Sequence, residues 1–250
     1  MSLFVLRQDK RMLKQKINIL GDLHTRIDAT LLKPDVPLKD YKECIETATR
    51  LQCRGLIVPQ SMYKIFPYEL DSARASGVIL GTVIGFPFGN ESVLSKLLVK
   101  SLYQNLQIEC DVVLNWSLMK AGRWHVLEEE ILDLLGCFNN VKFIVEAPQL
   151  TTDELKKITN LIAVLANSHQ TNKIFLKTAT GYFGSTTLDH AKVIREVLGD
   201  QSMIELKISG GIRSLEHIQD FDQYDVSVYG IGFPYFQDII IESQRKALLL

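Results

Sequence analysis

The sequence predicts an α/β fold, a single-domain (β/α)8 TIM barrel, on three observations. Eight short apolar runs recur along the 250 residues at a spacing of about thirty, the length of one strand plus one crossover helix. Most of these runs are apolar throughout rather than alternating, as strands buried on both faces of a parallel sheet are. Helix-like stretches occupy the intervals, and eight such units in ~250 residues is the size of a barrel.

The strand candidates are, in order, 26–30, 55–59, 78–85, 110–115, 142–146, 173–177, 205–209 and 226–230. All but the first are rich in Val, Ile, Leu or Phe, the residues that suit a pleated, buried surface. Helices are expected at 37–51, 90–107, 124–137, 151–167, 186–198 and 234–247, and Thr151-Thr152-Asp153-Glu154 supplies a polar, acidic first turn for the fourth. An extra N-terminal helix over about 7–20 would close the bottom of the barrel. A doubly wound open sheet is the alternative. It uses fewer strands, and its dinucleotide-binding form needs G-x-G-x-x-G after the first strand, which is absent here.

Composition narrows the class of partner. With 28 basic and 29 acidic residues spread evenly, the net charge is -1, which offers no basic stripe for nucleic acid and no polybasic tail for a membrane. No run approaches the ~20 apolar residues of a membrane span. Cys44, Cys53, Cys110 and Cys137 are isolated from one another and read as reduced thiols, so a cytoplasmic protein acting on a small molecule is expected. His24, His125, His169, His190 and His217 have no ligand spacing, which argues against a metal enzyme, and no G-x-S-x-G elbow or Walker loop is present.

A barrel carries its functional groups at the C-terminal ends of its strands, and those ends are polar here. Strand 1 brings Asp28 and Thr30, strand 4 Asp111 and Asn115, strand 5 Glu146, strand 6 Lys177 and strand 7 Lys207. Lys177 follows Ile174-Phe175-Leu176 and Lys207 lies between Leu206 and Ile208, so both ammonium groups are expected inside the barrel. Taken singly, either lysine could simply be ion-paired with Glu146, Asp28 or Asp111. Two on neighbouring strands repel, and desolvation adds to the repulsion, so one amine is pushed toward neutrality from its usual value near ~10.4. A neutral amine attacks carbonyl carbon, which points to Schiff-base chemistry with no cofactor. Asp111 is the expected proton carrier, or alternatively the partner that keeps one lysine charged. Past strands 6 and 7, Thr180-Gly181 and Gly210-Gly211 suit the phosphate site that late barrel loops form. Arg213 follows them, with a surface ion pair as its equally plain use.

The motifs resemble one family along nearly the whole chain, that of deoxyribose-phosphate aldolase. The resemblance rests on Asp28-Ala29-Thr30-Leu31-Leu32-Lys33-Pro34, Val83-Ile84-Gly85-Phe86-Pro87-Phe88-Gly89 and Glu109-Cys110-Asp111-Val112-Val113-Leu114-Asn115. It continues through Lys142-Phe143-Ile144-Val145-Glu146, Lys177-Thr178-Ala179-Thr180-Gly181-Tyr182 and Lys207-Ile208-Ser209-Gly210-Gly211-Ile212-Arg213. It implies reversible cleavage of 2-deoxy-D-ribose 5-phosphate to D-glyceraldehyde 3-phosphate and acetaldehyde. Lys177 would be the Schiff-base lysine, Lys207 the lysine that lowers its pKa, and Asp111 the carboxylate of the proton relay. Two stretches depart from the family. Strand 2 lacks its usual cysteine in Gly55-Leu56-Ile57-Val58-Pro59, and strand 8 reads Val228-Tyr229-Gly230-Ile231-Gly232-Phe233-Pro234 where the family tends to have serines after a glycine. Backbone N–H groups from Gly230 through Gly232 to Phe233 are then expected to hold the anion. The alternatives are a Schiff-base aldolase for a different or unphosphorylated aldehyde, and a non-catalytic sugar-phosphate-binding barrel. A homodimer is common for such barrels, although no segment marks an interface.

Overall fold

The computed structural model describes residues 20–103, 108–168, 173–199 and 203–249; of the helix expected over 7–20, all but Leu20 lies outside them. Eight parallel strands close on themselves in sequence order. They are β1 (Ile27–Thr30), β2 (Gly55–Ile57), β3 (Ile79–Ile84), β4 (Glu109–Val113), β5 (Asn140–Ile144), β6 (Lys173–Lys177), β7 (Ile204–Ser209) and β8 (Val226–Gly232). Helices alternate with them: α1 (Leu38–Arg50), α2 (Met62–Ile65), α3 (Pro67–Ala75), α4 (Val93–Tyr103), α5 (Trp116–Lys120), α6 (Trp124–Cys137), α7 (Thr152–Asn167), α8 (Leu188–Leu198), α9 (Leu215–Phe221) and α10 (Tyr235–Leu248). The predicted (β/α)8 barrel is the observed fold.

Strand alternation divides the molecule into two interiors. Outward-facing Ala29, Leu56, Leu80, Val112, Phe143, Leu176, Leu206 and Tyr229 join Ile45, Ile131, Ile158 and Ile194 of the helices in one continuous apolar layer. Each Leu, Ile, Val or Phe side chain among them contributes roughly 1.5–3 kcal/mol when fully buried, so this layer carries the stability. The inward layer includes Asp28, Glu109, Asp111, Lys142, Lys177 and Lys207, all buried. A barrel that placed these groups outward would strand them among leucines.

Several boundaries differ from those expected. β4 begins at Glu109 and ends at Val113, because Asn115 serves as the cap of α5, its side chain accepting the Leu118 N–H at 3.4 Å. β5 ends at Ile144 because Glu146 turns left-handed, with φ 54°. The helices α2 and α3 after β2, α5, and α9 after β7 were not singled out in the sequence; α3 starts on Pro67 at a position where the missing N–H costs nothing. At the start of α7 the polar segment forms a reciprocal cap, with Thr151 accepting from Glu154 N–H and Glu154 from Thr151 N–H.

Candidate active site

The middle of the barrel is built on charge. Lys177 ends β6 and pairs in register with Lys207 in the middle of β7. Both ammonium groups donate to one oxygen, Asp111 Oδ2, at 2.7 Å from Lys177 and 2.8 Å from Lys207. Lys207 also reaches Asp28 Oδ2 at 2.6 Å. Below them Lys142 Nζ lies 3.2 Å from Asp111 Oδ1 and 3.3 Å from Asp28 Oδ2, and it donates to Glu109. Arg54 completes the base, donating to Asp28 Oδ1 at 2.7 Å and to Glu109 Oε1 at 2.9 Å. Gly55 leaves room for this arrangement, since a Cβ there would stand 2.5 Å from Asp28 Oδ1.

Burial and charge pull these groups in opposite directions. Burial pushes the Asp111 carboxyl up, but Lys142, Lys177 and Lys207 outweigh it and hold the group well below the carboxylate range. Asp28 is likewise raised by burial and brought down further by Lys142, Lys207 and Arg54. For Lys207 burial wins: despite Asp111 and Asp28, its amine is pushed down to about 8, with Lys142 and Lys177 adding to the fall. Lys142 goes the other way, as Asp111, Asp28 and Glu109 overcome burial and raise it.

Above the lysine pair opens a cavity of about 210 Å³ lined by Thr30, Lys177, Thr180, Gly181, Gly210, Gly211, Gly230 and Gly232, with Lys33, Arg213 and Phe233 at its border. The loops past β6 and β7 are fastened to each other: Thr178 Oγ1 donates to Ser209 O and accepts its N–H, both at 3.0 Å, and Ser209 Oγ donates to Ala179 O at 2.6 Å. Gly210 and Gly211 take φ of 88° and 89°, and a Cβ on Gly211 would meet Ser185 Oγ at 2.4 Å. Glycine is what lets this turn pass beneath the cavity. Phe86 and Tyr182 meet edge to face at 5.4 Å and wall the mouth.

Most residues expected in the site thus converge, with three differences. Asn115 caps α5 and is not among the residues lining the cavity. Glu146 is buried beside the cavity rather than in its wall; its Oε2 accepts the Thr180 N–H at 3.0 Å while Oε1 has no hydrogen-bond partner among the described residues. Burial pushes this carboxyl up against the opposing pull of Thr180 and Lys177. The Phe233 N–H, expected to face an anion, donates instead to Thr30 O at 2.8 Å, because β8 keeps its ladder with β1 as far as Gly232. Sequence reasoning missed Arg54, Glu109 and Lys142. Lys142 carried the same signal as the other two lysines, a charge inside an apolar run. Arg213 borders the cavity with its guanidinium 5.7 Å from the Tyr235 ring. Among the described residues no three His, Cys, Asp or Glu side chains gather as a metal site, and no helix is long and apolar enough to cross a membrane.

Comparison with known proteins places this geometry. No protein-family model matches the chain. A deoxyribose-phosphate aldolase of Staphylococcus carnosus is 31% identical over 194 residues, covering 76% of this chain and 83% of that protein. One from Metamycoplasma hominis is 30% identical over 214 residues, 84% of this chain and 94% of the relative. Among solved structures, an aldolase designated QR15 superimposes with a TM-score of 0.76 at 26% identity, over 92% of this chain and 99% of its own. The class defined by barrel and relatives is that of aldolases, carbon–carbon lyases built on a (β/α)8 scaffold. Within it, the chain belongs to the deoxyribose-phosphate aldolase family.

Proposed function

We propose that the protein cleaves 2-deoxy-D-ribose 5-phosphate reversibly to D-glyceraldehyde 3-phosphate and acetaldehyde through a Schiff base on Lys177. The observation that carries this reading is the pair of buried amines sharing one oxygen of Asp111 directly below the cavity. Two ammonium groups on one carboxylate oxygen are over-supplied with charge, so the pair gives up a proton readily, and the proton lost belongs to the pair rather than to one residue. Lys177 is the member on the cavity wall, which makes it the nucleophile, and Lys207 beneath it is the charged neighbour.

In the cleavage direction Lys177 Nζ attacks the C1 aldehyde, and loss of water from the carbinolamine leaves an iminium. Removal of the C3 hydroxyl proton breaks the C2–C3 bond; its electron pair moves to C1–C2 and neutralises the iminium nitrogen. Glyceraldehyde 3-phosphate leaves with C3 as its aldehyde carbon, and the enamine remains. Protonation of the enamine at C2 and addition of water release acetaldehyde and restore Lys177. Asp111, in contact with both lysines, is the group assigned to moving these protons. The phosphate is assigned to the Gly210-Gly211 turn, with Gly181, Gly230 and Gly232 shaping the cavity and Lys33 and Arg213 supplying charge at its border. Residues 1–250 are read as one catalytic domain.

A second reading has its own support. Strand 8 offers no hydroxyl beside Gly232, and Phe233 spends its N–H on Thr30, which favours a less anionic aldehyde. Borohydride reduction with acetaldehyde, followed by peptide mass spectrometry, tests the shared chemistry: the expected product is a reduced two-carbon adduct on Lys177, and absence of any lysine adduct rejects both readings. Relative cleavage rates of deoxyribose 5-phosphate and free deoxyribose then separate them, a preference for the phosphorylated sugar being expected.

A further inference from the structure

Lys142, Glu109 and Arg54 lie inside the barrel with no part in the chemistry above. Contacts within ion-pair distance join them to Asp28, Asp111, Lys177 and Lys207 in one buried network. Four cationic side chains, Arg54, Lys142, Lys177 and Lys207, therefore meet three carboxylates, Asp28, Glu109 and Asp111, an excess of one positive charge. An uncompensated charge in a dry interior is costly, and such a site sheds it by losing a proton. Arginine does not deprotonate, and Lys142 is held protonated by the carboxylates on three sides of it. The proton must come from the pair at the top.

We propose that Lys142 is a positioning residue that supplies this excess charge from below, standing 3.2 Å from Asp111 Oδ1 without a hydrogen bond to it while Lys177 and Lys207 share Oδ2, and that Glu109 and Arg54 anchor it. The inference rests on the Schiff-base reading of Lys177. The remaining titratable groups around the network stay the same in every variant below. Cys53 is pushed up to about 12 by burial and stays neutral. Lys173 and Glu205, on β6 and β7, form a matched pair at 2.9 Å. Glu146, in the loop past β5, engages the Thr180 N–H and makes no ion pair among the described residues; burial pushes its carboxyl toward the neutral form against the pull of Lys177, and it is unchanged in every variant.

Charge parity makes opposite predictions for two substitutions. Lys142→Met leaves three cations against three carboxylates, so the pair keeps both protons to higher pH. Glu109→Gln leaves four against two, so the pair loses a proton at lower pH. The double variant Lys142→Met/Glu109→Gln restores the excess of one. The measurement is the pH midpoint for trapping acetaldehyde on Lys177 with borohydride in the full-length protein. Peptide-resolved acetylation of Lys177 and Lys207 by acetic anhydride runs alongside, as a readout of amine protonation that needs no aldolase activity. The expected midpoint rises by at least about one unit in Lys142→Met, which is about tenfold in rate on the acid limb. It falls in Glu109→Gln and returns to within a few tenths of wild type in the double variant. A shift of the same sign in both single variants, no shift in either, or a double variant that stays displaced overturns the inference. If Lys142→Met does not fold, Glu109→Gln decides alone: a fall supports the inference, and a rise or no change overturns it. Absence of a wild-type adduct would refute the Schiff-base reading, whereas the acetylation midpoints still report on charge parity.

Discussion

Asp111 Oδ2 is one atom serving two ammonium groups, at 2.7 and 2.8 Å, and the reactivity proposed for the site follows from that shortage. Replacing Lys207 with leucine ends the sharing and leaves Asp111 Oδ2 to Lys177 alone. The expected result is that the acid limb of the kcat/KM profile moves to higher pH and activity near pH 7 falls about tenfold for each unit moved. Lys177→Ala should abolish turnover at every pH. A Lys207→Leu profile superimposable on wild type would contradict the sharing. At this scale the sequence was legible for the two lysines and Asp111, because a charge inside an apolar strand run is conspicuous wherever the strand points. It was less legible for Arg54 and Glu109. Arg54 precedes β2 and Glu109 opens β4, and in sequence they look like solvated residues at strand starts; only barrel closure turns them inward, onto Asp28 and onto each other.

Among the elements, the loops past β6 and β7 differ from ordinary strand-to-helix turns in being tied together by Thr178 and Ser209. That tie holds the Gly210-Gly211 turn against Ser185 so closely that no side chain fits. Gly211→Ala must then displace either the Ser185 segment or the turn itself, and it adds a strained positive φ of order 1–3 kcal/mol. The expected effect is a several-fold rise in KM for deoxyribose 5-phosphate, with kcat changed less, because the lysine pair is anchored on β6 and β7 below the turn. Steady-state kinetics check this, and a loss confined to kcat would argue that the turn does not hold substrate. The Gly-Gly signal was readable in advance. The commitment of the Phe233 N–H to Thr30 was not, since it depends on how far β8 stays paired with β1.

For the whole molecule, the buried network couples folding to pH. Asp28 and Asp111 have folded-state pKa values below their unfolded ones, so the unfolded chain binds more protons as pH falls. Their stabilisation is fully present above the unfolded value near ~4 and is lost as pH drops toward the folded values. Lys207 acts in the opposite sense. With its folded value lowered to about 8 against ~10.4 unfolded, it penalises the folded state at neutral pH, and the penalty is relieved between those two values. Urea midpoints should therefore fall steeply from about pH 5 to pH 3, and Asp111→Asn should flatten that fall; an unchanged slope would show that these carboxylates do not drive it.

The sequence by itself determined the barrel, its strand order, the two central lysines and the glycine turns, because each is written in local terms: strand period, apolar run, βα spacing and turn chemistry. Only the tertiary structure decided that Arg54, Glu109 and Lys142 join the lysine pair, that Glu146 stands behind Thr180 rather than in the cavity, and that Asn115 caps a helix. Those outcomes depend on which side chains meet across a closed barrel from strands up to 179 residues apart in the chain, as Lys207 and Asp28 do. No local pattern encodes such distances; closure of the sheet imposes them.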